Sequence, residues 1–130
     1  MFDLNNIRVQ VLSKPKSDYP NAKMMASVAI LGKSTYVGFN NFKTHPAGLK
    51  ECRNSSVESC SCNHAEVSAI AKVPRQSRHK LILYVMRFLA SGEVSMAKPC
   101  ALCEKFLSDN EIDLRNVFYT DWDGNWKKLQ

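Results

Sequence analysis

Two short stretches constrain this chain more than anything else in it: His64-Ala65-Glu66 and Pro99-Cys100-Ala101-Leu102-Cys103. His64, Cys100 and Cys103 can all ligate a metal, and a fold that uses them together must fetch them across a long run of intervening chain. Three protein ligands leave one tetrahedral position open, the pattern of a catalytic zinc site, whereas a structural site usually closes with a fourth. Glu66 stands two residues from His64, near such a metal yet free to carry protons. A lone Cys-x-x-Cys also fits a redox pair or half of a structural zinc knuckle, and a lone His-x-Glu says almost nothing. Their conjunction is far more specific than either part.

The local pattern supports it. Cys100 and Cys103 are spaced i, i+3, which puts them on one helix face about one turn apart. Pro99 suits a helix start, where a missing N–H costs little. Asn63 is a candidate N-cap for a second helix whose apolar body is Val67, Ala69, Ile70 and Ala71. Both ligand groups then sit at helix N-termini, where the dipole favours thiolates.

On these residues the chain resembles the zinc-dependent cytidine deaminase-like superfamily, whose signature is His-x-Glu followed by Pro-Cys-x-x-Cys. The resemblance implies hydrolytic deamination of a nucleobase. Zn2+ held by His64, Cys100 and Cys103 would make hydroxide available, Glu66 would move the protons, and ammonia would leave. It further implies that the backbone around Ala65 contacts the base. Gly38-Phe39-Asn40 is similar to the family's Gly-x-Asn, which makes Asn40 a sugar contact; otherwise Asn40 is simply a good turn residue at a strand end. Nucleoside deaminases follow that Asn with x-Glu, but this chain has Phe42. Phe42 offers an aromatic face to a base, and Lys43, Thr44 and His45 could meet a phosphate. Lys43-Thr44-His45-Pro46 also resembles deaminases of phage type. Neighbouring subunits often close the pocket in such proteins, so the resemblance implies a homo-oligomer.

Periodicity and turn residues supply the remaining elements. Residues 3–13 read as a helix with Leu4, Ile7 and Val11 on one side. Residues 14–21 connect, and 22–31 and 34–40 form a hairpin about Gly32-Lys33. Residues 47–61 are a long polar loop. Residues 81–87 are apolar almost throughout, as a strand covered on both faces should be. Residues 88–98 lead to the Cys100 helix, which buries Leu102, Phe106 and Leu107. Residues 116–120 and 126–129 form a last hairpin about Asp123-Gly124. The expected fold class is α/β: one three-layer α/β/α domain over residues 1–130, with a mixed five-stranded sheet, an antiparallel C-terminal hairpin, and both metal-binding helices on one face. The resemblance assigns that antiparallel ending to the cytidine deaminase branch.

Cys52, Cys60 and Cys62 could hold a second, structural zinc with His45 or His79; the plainer reading is three reduced thiols. Five cysteines, an odd number, fit a reducing compartment. No apolar run has transmembrane length, and Met1 to Asn6 lacks a signal-peptide pattern, so no membrane and a cytoplasmic location are expected. The net charge of +6 is spread along the chain. It fits an anionic partner, a nucleotide phosphate or a nucleic-acid strand, or else a merely solvated basic surface. The expected function is a zinc-dependent hydrolytic deaminase of a cytosine nucleoside or nucleotide. One alternative acts on single-stranded DNA or RNA, with Trp122 and Trp126 stacking on bases. Another is a zinc-stabilised binding module without catalysis.

Overall fold

A computed structural model describes residues 2–19, 23–41 and 64–130. Helix α1, Leu4–Leu12, starts at Asp3, whose carboxylate accepts from the Asn5 N–H at 2.9 Å. It buries Ile7 and Val11. Tyr19 folds back beneath it and donates its hydroxyl to Val11 O at 2.7 Å.

Strands β1, Met24–Leu31, and β2, Ser34–Phe39, form the hairpin, pairing Ala26 with Phe39 and Leu31 with Ser34. The turn residue Gly32 has φ +59°, which glycine adopts without a Cβ penalty. After α2, Ala65–Ile70, a 3-10 turn over Arg75–Lys80 leads into β3, Ile82–Phe88. A short strand β4, Val94–Ser95, precedes helix α3, Ala101–Asp109. Strands β5, Val117–Thr120, and β6, Trp126–Lys128, close the chain.

Among the described residues the sheet has six strands, in the order β2-β1-β3-β5-β6 with β4 attached to β3. The expected five-stranded sheet therefore gains β4, whose two residues are too short to leave a periodic trace. β1 and β3 are antiparallel, β3 and β5 parallel, and β5 and β6 antiparallel, as the C-terminal hairpin requires. One edge of β3 serves two partners: Leu83–Val85 pair with β5, and Arg87 and Phe88 with β4.

Strand alternation sorts the side chains into two layers. Met24, Ala26, Val28, Met86 and Phe88 meet α1 on one face, while Ala29, Leu83, Val85 and Val117 meet α2 and α3 on the other. The sheet is thus covered on both sides, with both ligand-bearing helices together on one. Leu102 is only partly buried; Cys103 joins Phe106 and Leu107 in facing the sheet. No helix among the described residues is long and apolar enough to cross a membrane.

Candidate metal centre

Both helices begin at a ligand. His64 is the N-cap of α2 (φ −77°, ψ 150°) and Cys100 that of α3 (φ −71°, ψ 169°). Extended backbone is usual for an N-cap, yet neither residue makes a side-chain capping bond. The expected placements shift by one residue. Asn63 lies outside the described residues and the cap is His64 itself; Pro99 stands before the cap instead of opening the helix.

The three side chains converge. His64 Nδ1 lies 3.1 Å from Cys103 Sγ and 3.8 Å from Cys100 Sγ, and all three ligand atoms fall within 4.8 Å of one another. Tetrahedral bonds of ordinary Zn–N and Zn–S length put a nitrogen and a sulfur ligand about 3.6 Å apart, which those two distances bracket. The donor set, one imidazole and two thiols, suits Zn2+. It is the only group of this kind among the described residues.

The same proximity polarises the thiols. Cys103 donates to Cys100 and, with help from His64, lowers the Cys100 thiol to about 4. Cys103 is pushed well up, by its bond to Cys100 and then by burial. The bond with Cys100 raises His64. Glu66 is 3% exposed, and burial raises its carboxyl above the usual range. A bond from Cys103 opposes that shift without cancelling it.

Two neighbouring positions on the hairpin floor seat α2. Ser27 donates its hydroxyl to Ala65 O at 2.6 Å. Its register partner Gly38 lies so close that a Cβ would fall 2.3 Å from Ala69 N and 2.6 Å from Ala65 O. Neither was singled out for this role from the sequence, although a glycine inside a strand signals a close backbone approach. Lys72 then donates to Val37 O from the far end of the helix.

Asn40 is buried at the end of β2, and both ends of its amide are engaged. Oδ1 accepts from Met25 N at 3.0 Å and Nδ2 donates to Lys23 O at 2.6 Å. Ala65 is buried in the first turn of α2. Phe42, Lys43, His45, Cys52, Cys60 and Cys62 lie outside the described residues, as does the whole 47–61 loop. His79 is exposed on the 3-10 turn before β3. The two tryptophans differ: Trp122 is 71% exposed, whereas Trp126 meets the Tyr84 ring edge-on at 5.3 Å and that of Phe2 at 6.2 Å.

Comparison with families of known proteins matches residues 5–120 to the cytidine and deoxycytidylate deaminase zinc-binding region. No individual curated protein matches the chain.

Proposed function

The chain belongs to the cytidine and deoxycytidylate deaminase family, and from that premise we propose that it hydrolyses the cytosine of a nucleoside or nucleotide to uracil, releasing ammonia. In this reading one domain, residues 1–130, carries the reaction. His64, Cys100 and Cys103 hold Zn2+, which supplies the Lewis acidity that makes hydroxide available near neutral pH.

Glu66 carries the reading. A buried carboxyl with a raised pKa, beside a metal-ligand cluster, has no evident packing role and is well matched to proton transfer. It takes one proton from water and gives it to the ring nitrogen, then takes the second from the hydroxyl now on the ring carbon and gives it to the departing amine. The C–N bond to the exocyclic amine breaks, a C–O bond forms, and ammonia and a carbonyl remain. The place of Ala65 between His64 and Glu66, at the first position of α2, supports a base contact from its backbone N–H. The engaged amide of Asn40 supports a sugar contact only through its outer edge, since its inner bonds hold the start of β1.

A second reading, deamination within a nucleic-acid single strand, draws on the exposed ring of Trp122. Assembly of several copies is supported by apolar side chains left exposed, Val9 and Leu12 on α1 and Leu89 after β3. The deciding assay is ammonia release by zinc-loaded protein. It offers cytidine, deoxycytidine, their monophosphates and a cytosine-containing single strand in parallel, with Glu66→Ala as control. Turnover of a monomer that stops in the variant supports the proposal. Turnover of the strand alone selects the second reading, and undiminished turnover in Glu66→Ala rejects the mechanism.

A further inference from the structure

The α2/α3 face carries one charge that the reaction above leaves without a task. β3 is apolar at nearly every position, yet Arg87 stands near its end. Alternation places Arg87 on the same face as Leu83 and Val85. Its register partners are Met25 in β1 and Ser95 in β4. Its Nε is buried and has no hydrogen-bond partner, and none of the ion pairs among the described residues includes it. A buried donor left unsatisfied is destabilising, and an aliphatic residue would suit a strand interior better. An arginine kept under that penalty calls for an acceptor that arrives from outside.

The register shows where such an acceptor would sit. Ser27 and Gly38, which touch the first turn of α2, form one row across the sheet with Val85. The next row outward holds Met25, Arg87 and Ser95, with Asn40 fastened to Met25 at its end. Arg87 therefore lies at the end of the sheet where α2 begins and where the chain passes from Ser95 to Cys100. Ser95 is buried and brings a hydroxyl to the same row and face. Lys23, just before β1, and Lys98, just before Pro99, are exposed at this end and join none of the described ion pairs.

We propose that Arg87, with Ser95 beside it, binds the phosphate monoester of a cytosine nucleotide, so that the substrate is the monophosphate and not the free nucleoside. The inference rests on the deaminase reading above. A guanidinium offers Nε–H and Nη–H as a fork that matches two phosphate oxygens. Because Nε is buried, the acceptor must enter the protein to reach it. A terminal monoester can do so, whereas a continuous nucleic-acid backbone would have to thread past.

The test compares Arg87→Met and Arg87→Lys with the parent chain, all zinc-loaded. One readout is the ratio of kcat/KM for deoxycytidine monophosphate to that for deoxycytidine. The other is equilibrium binding of the same two compounds to the Glu66→Gln form of each chain, which needs no turnover. The ratio should fall about 10–100-fold in Arg87→Met, as loss of charge-assisted bonds predicts, and recover in part in Arg87→Lys. Monophosphate binding should weaken in parallel. Equal losses for both compounds, no loss, or Arg87-dependent binding of a cytosine single strand in place of the monophosphate would overturn the inference. Arg87-dependent monophosphate binding without any deamination would uphold the anion site and reject the deaminase reading alone. A melting temperature kept or raised in Arg87→Met shows that a changed ratio is not a folding defect.

Discussion

On the α1 side of the sheet, Tyr84 stacks on Phe118 at 5.3 Å, Trp126 and Phe2 close on Tyr84 edge-on, and Arg8 lies over the Phe88 ring. The α1 cap is a bonded aspartate. On the other side, α2 has six residues, neither helix has a side-chain capping bond, Glu66 is buried, and the Nε of Arg87 is buried without a partner. The same strands supply both faces, so the contrast does not come from β propensity. It comes from which side chains are allowed to satisfy each other. The α1 face consumes its own polar groups and stabilises the sheet; the α2/α3 face gathers His64, Cys100 and Cys103 into a metal-ligand cluster and leaves the Arg87 Nε without a partner.

Substitutions can sharpen or break this contrast. The largest expected effect is on chemistry: Glu66→Gln should lower kcat/KM about 100- to 10,000-fold, the range for losing a general acid-base. Zinc content should hold by elemental analysis, and stability should not fall, because a buried carboxyl is removed. Next is the opposite face. Phe88→Ala should cost about 3–5 kcal/mol in denaturant unfolding through the cavity it leaves, with zinc stoichiometry unchanged. Loss of zinc in that variant would show that the faces are not separable. Gly38→Ala should cost about 1–3 kcal/mol by overpacking, and unlike Phe88→Ala it should disturb zinc binding, since the backbone of α2 has to move. Tyr19→Phe, which removes the bond to Val11 O, should cost about 1 kcal/mol and leave activity alone. The smallest effect is a gain. Glu111 follows α3 at φ +65°, with Ile112 N bonded to Leu107 O and Glu111 N to Ser108 O. That is a Schellman end carrying the wrong residue, and Glu111→Gly should stabilise by roughly 0.5 kcal/mol.

Much of this arrangement was legible in the chain. The Gly32-Lys33 turn and the apolar run before Arg87 give β1, β2 and β3 their places because period and turn chemistry are local signals. The metal ligands were legible because so few residue types bind zinc. What was hidden depends on two segments at once. β4 is two residues long and exists only through its pairing with Arg87 and Phe88. His64 displaced Asn63 as the cap because a side chain recruited by Cys100 and Cys103 does not need to bond its own helix. Asn40 reads as a sugar contact or a turn residue, but its bonds to Lys23 and Met25 follow from hairpin register, which spacing does not reveal. Arg87 could have been noticed as a lone charge in an apolar strand; only the pairing of β3 shows which face it shares.

The unbonded caps of α2 and α3 have a consequence for how the molecule opens. Short helices without capping bonds fray at their first turns, so amide hydrogen exchange should be fastest there while β1 and β3 stay protected. Excursions of a few residues are then enough to uncover Cys103 and the rest of His64 beside the already exposed Cys100. A metal ion can be taken up or surrendered by the folded chain through that small breathing motion, without the sheet coming apart.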